Sequence, residues 1–557
     1  MKINRRGVLG LLGAGVIPLP SLAEPAPPTA TFAYGVASGD PDPGGVLLWT
    51  KLLVDVTPAP ASFQVAWEVA ADPAFARIVA HGMAPASIAA DYTVKADVRG
   101  LRPGRDYWYR FKTGTTISQI GRTRTLPIGH VRDVVFAVAT CALYPNGFFN
   151  AYQAIADLPR VDAVLHLGDY IYEYGAQPSA YGMQNGLRLG RIPDPPHEVV
   201  TLDDYRRRYA QARRESALQA AHARAAFICI WDDHESANNS WMDGAENHQP
   251  DEGTWSERKT AAVRAWYEWM PIRDPAPGQN GWAINRAFQF GDLATLMMTE
   301  SRLIGRTQQL DYSVDLPPGS SDEQVAAFRG RLADPARQLL GATQEAWLAR
   351  TMAASVRAGR VWQVLGNQVV MGKIRAYDLP AIMGATYEAM ATALPALRRQ
   401  AENQRRLSQL GLPGNLDSWD GYPAARDRFF AAARRARAHP IVLSGDSHAF
   451  WANELWDQSQ TSRVAAEFGA TSITSPGSAD RIPGLPMAQH VIDANREVIF
   501  TNLSAKGFLL LTLTRWSAKA QMIAVSTIES LTFETRVLKT FEVGPTHGGG
   551  VGPITEG

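Results

Sequence analysis

Four stretches of this 557-residue chain end an apolar run in groups that can bind a metal or move a proton. Residues 134–139 run into Thr140-Cys141, and residues 163–167 into Gly168-Asp169-Tyr170-Ile171-Tyr172-Glu173. Residues 226–231 run into Asp232-Asp233-His234-Glu235, with Asn238 and Asn239 close behind; residues 440–443 run into Gly445-Asp446-Ser447-His448. A buried carboxylate is costly unless it is paired or holds a metal, so this repeated delivery points to a metal site rather than to packing. A thiolate and a phenolate suit a redox-capable transition ion such as iron, whereas carboxylate and amide oxygens suit harder ions such as calcium or magnesium. Asp169 is the natural carboxylate to bridge two ions. Such a pair would activate a water as hydroxide and neutralise the oxyanions of a phosphate ester in an in-line displacement. Among the neighbouring groups, Tyr170 has the wrong offset from Asp169 and His166 sits before the strand end, so both are read as packed residues.

The elements that must position these groups follow from the apolar periodicity. Residues 134–139 and 163–167 enclose a helix-like segment, 148–158, giving a βαβ unit, and open α/β sheets bind ligands at the carboxyl ends of their strands. The catalytic region spans 132–540. It holds strands at 286–290, 293–298 and 361–369, a helix 257–270 whose Trp266, Tyr267 and Trp269 belong to the core, and a helix starting at 339–348 with Thr343 as cap. Thr201 caps a basic helix, 202–224, whose arginines 206, 207, 208, 213 and 214 form a solvated face paired with Asp203, Asp204 and Glu215. Residues 375–415 form a helical insertion, a lid or a rim. Residues 541–557 are expected as a flexible tail.

Upstream, residues 32–128 are all-β. Phe63, Val65, Trp67 and Val69 alternate with polar or small residues, and turn signals recur at 41–45 and 100–104. The pattern around Tyr107-Trp108-Tyr109-Arg110 resembles a fibronectin III or Ig-like β-sandwich, with a structural role as a cap or lip.

Length and composition bound the rest. At 557 residues and 46% hydrophobic content the chain is a globular protein of more than one domain. Lys2, Arg5 and Arg6, the apolar run 7–19 and Ser21-Leu22-Ala23 read as an export signal over 1–23, of the twin-arginine kind, followed by a linker, 24–31. That route carries folded proteins, so the metal would be loaded before export through the twin-arginine machinery to the periplasm or the medium. Without the three basic residues of 1–23, the 55 basic and 54 acidic residues leave a net charge of −2, which argues against a nucleic-acid-binding domain. No later stretch reaches the length of a membrane span. Cys141 and Cys229 could in principle pair in an exported protein, but Cys229 lies inside an apolar strand and Cys141 where a ligand would sit.

The resemblance becomes specific when the motifs are taken in order. Phe32-Ala33-Tyr34-Gly35-Val36-Ala37-Ser38-Gly39-Asp40-Pro41, the 168–173 block, Trp231-Asp232-Asp233-His234-Glu235, Trp419-Asp420-Gly421-Tyr422-Pro423, Gly445-Asp446-Ser447-His448 and Thr471-Ser472-Ile473-Thr474-Ser475-Pro476-Gly477 together resemble the PhoD-type alkaline phosphatases. The resemblance implies an α/β fold with α+β elements: an N-terminal β-sandwich, then a four-layer αββα calcineurin-like metallophosphatase domain. It implies hydrolysis of phosphomonoesters and phosphodiesters, ferric iron (Fe3+) and one or two Ca2+ ions. Carried over by motif, Cys141, Asp169 and Tyr172 would hold iron, with Asp446 or His448 completing it. Asp169 and Asp233 would reach calcium with Asn238 or Asn239, and His234 would stand near the leaving group. One departure is Met298-Thr299-Glu300-Ser301-Arg302, where the family tends to have Leu-Asp-Thr-Arg; the arginine survives and could orient phosphate. The protein is expected to be a monomer acting on small or polymeric phosphate esters. A phospholipase D-like diesterase on the same scaffold is the alternative, separable by an apolar channel beside the metals. A non-catalytic binding protein would not need so complete a ligand set.

Overall fold

Strand register explains how residues three hundred positions apart reach one place. In the computed structural model, which describes residues 30–276, 278, 281–393, 395–481 and 484–557, two large sheets face one another. The export signal and most of the linker expected before residue 32 lie outside the described residues. The first sheet has ten strands, and at its centre Asp133–Ala139, Ala163–His166 and Phe227–Cys229 run parallel. The second has seven, and Ala294–Met298, Trp362–Gly366, Pro440–Ser444 and Arg463–Gly469 are its parallel core.

Period-2 alternation sorts the side chains into layers. In the second sheet Leu296, Val364 and Ile441 join the core shared with Phe136 and Val138 of the first. Their neighbours Met297, Leu365 and Val442 point the other way, onto the helices Ala342–Arg357 and Pro423–Ala436. Phe136 and Phe290 meet edge to face across the sheets, ring centres 4.9 Å apart. The outer face of the first sheet is covered by Asn150–Ala156, Leu202–Arg213, Ser216–Arg224 and Trp255–Trp269, through Tyr152, Tyr209, Leu218, Trp266 and Trp269. The result is helix, sheet, sheet, helix.

The N-terminal β-rich region packs as two sheets around its own core of Val36, Val46, Leu48, Val65, Val69 and Phe111. One of them, however, is the end of the first large sheet: Val36–Asp42, Gly45–Lys51 and Thr93–Arg99 continue it beyond Phe227–Cys229. The seam is the parallel pairing of Phe227 with Gly39. A Cβ at Gly39 would stand 1.9 Å from the carbonyl oxygen of Pro271, so only glycine admits this approach.

Several local expectations change. The basic segment 202–224 forms two helices rather than one; Thr201 caps the first in a reciprocal capping box with Asp204. Its arginines form a solvated face only in part: Arg207 and Arg214 are exposed. Arg208 and Arg213 are buried, and Arg208 donates to the carbonyls of Tyr172, Tyr174 and Pro195, tying the helix to the loop after Asp169. Gly341, with φ 77°, holds the cap position expected of Thr343. The 541–557 segment is not a flexible tail. It contains the end of the strand Thr535–Val543, a paired strand Thr555–Glu556, and Gly550, which donates to the Ala438 carbonyl. Cys141 and Cys229 are both buried free thiols. The 375–415 segment carries the helices Leu379–Met383, Thr386–Ala393 and Pro395–Gln409, its ends drawn together by a bridge between Arg375 and Pro413. No helix among the described residues is long and apolar enough to cross a membrane.

Candidate metal centre

The strands Asp133–Ala139, Ala163–His166, Phe227–Cys229 and Pro440–Ser444 run into turns that present donors. Four of those donors sit in the left-handed region: Cys141 (φ 60°), Asp169 (58°), Asp446 (57°) and His448 (56°). Non-glycine residues enter this region at a cost, and such strain gathers where function requires a side chain to be aimed. Gly168 precedes Asp169 with φ 107° and lies so close to Asp232 that a Cβ would meet its Cβ at 2.3 Å. The two strand ends are thereby packed together.

The donors fall into three overlapping groups. Cys141, Asp169 and His448 offer ligand atoms within 4.8 Å of one another; so do Asp169, Asp233 and His234, and so do Asp232, Asp233 and Asp446. Tyr172 joins the first group: its hydroxyl donates to Asp169 Oδ2 at 2.9 Å and lies 3.3 Å from His448 Nε2. Ser475 donates to that hydroxyl at 2.7 Å. His448 Nδ1 meets the Pro476 carbonyl at 2.9 Å, which places the proton there and leaves Nε2 as the ligand nitrogen. Asp169 is common to the thiol-bearing group and the group with Asp233 and His234, and Asp233 links the latter to the three-carboxylate group.

Surrounding residues hold the donors still. Glu235 accepts from the main-chain N–H of Asp169 (2.9 Å), Tyr170 (2.6 Å) and Asp232 (2.8 Å), clamping two strand ends with one carboxylate. Glu173 receives His234 Nδ1 at 2.7 Å and Asn247 Nδ2 at 2.8 Å. Arg302 is fully buried; its guanidinium donates to Asp232 (2.5 Å), to both oxygens of Asp417 (2.8 Å) and to Asp446 (3.3 Å). The expectation that Arg302 orients phosphate is therefore corrected: every arm is spent on a carboxylate, and it acts by positioning them. Glu300, which stands at the departure from the family motif, accepts from Trp231 Nε1 and from the N–H of Arg302, Leu303 and Ile304, so it shapes the turn that carries Arg302.

Charge explains what the site lacks. Burial, reinforced by Asp233, Asp232 and Glu235, pushes Asp169 well above the usual carboxylate range against the pull of His234. Burial also raises Asp232, and lifts Asp446 to about 7 despite Arg302. Asp233 is the exception: burial opposes it, but Arg302, His234 and the Asn239 N–H bring it down to about 2. Burial and the charge on Asp169 raise the Cys141 thiol and the Tyr172 phenol. Burial holds His448 neutral, down to about 3. Burial disfavours a charged His234 too, yet Asp233, Glu173 and Asp169 together raise it well above its ordinary value. The buried oxygens Asp169 Oδ1, Asp232 Oδ2 and Asp233 Oδ1 have no hydrogen-bond partner. Acceptors aimed at one place, unpartnered and short of positive charge, fit cations.

Of the residues singled out from the sequence, Cys141, Asp169, Tyr172, Asp233, His234, Asp446 and His448 converge. His448, not Asp446, sits with the thiol; Asp446 sits with Asp232 and Asp233. Asn238 contacts Glu173 through its N–H and Glu246 through its amide, while it is the Asn239 N–H that reaches Asp233, at 2.6 Å. Tyr170 packs with its hydroxyl 2.9 Å from His222, and His166 is a core histidine against Tyr152. Sequence reading passed over Asp232, Glu235 and Asp417 as site-supporting residues. Doubled aspartate at a strand end was the available signal for Asp232; nothing local marks Asp417, which reaches Arg302 from beyond the helical segment.

A thiol, a phenol, an imidazole and several carboxylates at the carboxyl ends of parallel strands in two facing, helix-flanked sheets define a metal-dependent hydrolase of the αββα class. Comparison with known proteins narrows this. Residues 136–522 match the model of the PhoD-like phosphatase family and residues 20–127 that of its N-terminal domain. The chain is 34% identical over 526 residues to alkaline phosphatase D of Bacillus subtilis (strain 168), covering 91% of this chain and 80% of that protein. It also superposes on a solved structure described as PhoD with a TM-score of 0.77 at 31% identity, covering 95% of this chain and 93% of that one. The chain belongs to the PhoD-like phosphatase family and is a phosphoric ester hydrolase.

Proposed function

We propose that this phosphatase hydrolyses monoesters and diesters at a mixed site: ferric iron held by Cys141, Asp169, Tyr172 and His448, and one or two calcium ions held by Asp169, Asp233, Asp232 and Asp446, with Asn238 or Asn239 at the margin. The supporting observation is the division of donors: Cys141, His448 and the Tyr172 hydroxyl gather with Asp169, Asp169 also groups with Asp233 and His234, and Asp233 groups in turn with Asp232 and Asp446. Thiolate and phenolate favour iron; carboxylate oxygens favour calcium. When bound, such ions supply Lewis-acid charge to the phosphoryl oxygens and acidify a water. The chain's own residues do the rest. Glu235 and Arg302 hold the ligands in place. Glu173 orients His234 and favours its protonated form, so the ring can donate to the departing alkoxide. Residues 1–23 support twin-arginine export to the periplasm or medium, and a monomer suffices because all donors come from one chain.

Metal analysis of one purified sample, with a monoester and diester panel, tests this. The protein is expected to contain iron, to be coloured, and to lose the colour in Tyr172→Phe; colourless, iron-free but active protein would overturn the iron assignment. Asp169→Asn should abolish hydrolysis while leaving the fold intact, and retained activity would refute the bridge. After chelation, calcium should be required for recovery; recovery with zinc alone would exclude it.

A further inference from the structure

The strand Trp362–Gly366 lies between Ala294–Met298 and Pro440–Ser444 in the second sheet. Its neighbour Pro440–Ser444 runs into metal donors, but none of the grouped donors follows Trp362–Gly366 itself. Its end delivers Asn367 and Gln368 instead, both without solvent exposure. A buried primary amide is costly unless its polar atoms are bonded, so the partners of Gln368 show what it is there for.

Those partners are the turns that carry the carboxylates. Gln368 Nε2 donates to the Trp231 carbonyl at 3.0 Å and to the Thr299 carbonyl at 2.7 Å. Its Oε1 accepts from Ser301 Oγ at 2.7 Å, and its main-chain carbonyl accepts from the Gly445 N–H at 2.6 Å. Two carbonyl acceptors and one hydroxyl donor fix which end of the amide is nitrogen. Trp231 precedes Asp232 and Asp233, and Gly445 precedes Asp446. Thr299 and Ser301 lead into Arg302, the countercharge of those three carboxylates. One residue therefore ties a turn of the first sheet to two turns of the second. A carboxylate in its place could not donate to the two carbonyls, and an apolar side chain of similar length would leave both carbonyls and the Ser301 hydroxyl unbonded. The thiol-bearing end is held by other bonds: Ser475 donates to the Tyr172 hydroxyl at 2.7 Å, and the Pro476 carbonyl meets His448 Nδ1 at 2.9 Å.

We propose that Gln368 is a positioning residue for the carboxylate-rich half of the centre: it sets the spacing of Asp232, Asp233 and Asp446, and through that spacing their affinity for a divalent cation. The role rests on the reading of this half as a calcium site.

Calorimetric titration of calcium into the purified protein, freed of calcium by a calcium-selective chelator, tests it. Gln368→Met should weaken calcium binding by about tenfold to a hundredfold and leave the iron content unchanged. The calcium concentration for half-maximal hydrolysis of 4-nitrophenyl phosphate should rise by the same factor. Gln363→Met is the control. Gln363 is equally buried on the same strand, but it bonds Ser355, Arg360 and His439 near the opposite end. Its loss should lower the melting temperature and leave calcium affinity as in wild type. Unchanged calcium affinity in Gln368→Met, or an equal loss in Gln363→Met, would overturn the positioning role while leaving the metal centre standing. If Gln368→Met does not fold, Ser301→Ala decides, since it removes one bond to the amide: a roughly fivefold loss of calcium affinity is expected, and no loss overturns the role. Wild-type protein that binds no calcium would overturn the reading of the centre and this role with it.

Discussion

Replacing Arg302 by methionine tests whether a buried cation holds the carboxylates in place. The guanidinium has no solvent exposure, and it meets Asp232, Asp417 and Asp446 at 2.5, 2.8 and 3.3 Å, with Asp233 at 3.6 Å. Methionine fills similar volume but leaves those carboxylates without a countercharge. Breaking a buried pair from one side costs about 3–5 kcal/mol, a large share of the stability of an ordinary domain. Solvent screening gives no relief here. The sign with pH follows from proton binding. Removing Arg302 raises the carboxyls of the folded protein further, Asp446 already standing at about 7, so the folded variant binds more protons than folded wild type. The stability gap should therefore be widest near pH 8 and narrow as pH falls toward 5. Urea unfolding in chelator, followed by tryptophan fluorescence with Trp231 beside Asp232 as reporter, measures the gap at both pH values. Arg302→Lys, which keeps the charge but not the fork, should fall between. A loss under about 1 kcal/mol at pH 8, or a gap that does not change with pH, would refute the electrostatic account.

Three further outcomes are expected. Glu235→Gln places an amide NH2 against main-chain N–H donors now held at 2.6–2.9 Å; metal retention on dialysis should weaken on the order of tenfold or more while circular dichroism is unchanged, and full retention would show that the clamp is dispensable. Gly39→Ala should destabilise the seam between the N-terminal strands and the catalytic sheet by at least about 1–3 kcal/mol, because the added carbon would stand 1.9 Å from the Pro271 oxygen; an unchanged melting temperature would contradict this. His166 takes its proton near pH 6.5 when unfolded but only near 3 when folded, because burial disfavours the charge. Below pH 6.5 the unfolded chain binds more protons, so stability falls with pH down to about 3, by on the order of 5 kcal/mol, and His166→Gln should flatten that acid limb in denaturant titrations.

Much of this protein is legible along the chain because its chemistry is delivered by local devices. An apolar run followed by a turn and a donor is visible in five to ten residues, and so Cys141, Asp169, Asp233 and His448 could be named with no knowledge of what they face. The cap at Thr201 is visible for the same reason, since capping is a matter of three or four residues. The packed roles of Tyr170 and His166 follow from the offset of the one from Asp169 and the place of the other before the strand end. What tertiary structure alone decided is partnership. Whether Asp446 or His448 stands with the thiol depends on how the two sheets are set against each other, and the two residues differ by only two positions in sequence. Arg302 reads as a phosphate ligand until Asp232, Asp417 and Asp446 are seen to occupy it from three separate loops. The N-terminal strands read as a self-contained sandwich until the pairing of Gly39 with Phe227, 188 positions apart, joins them to the catalytic sheet. Donor identity is a property of a short stretch of chain, whereas which donors share an ion is set by strand order and register between residues far apart in sequence, and no local pattern encodes that.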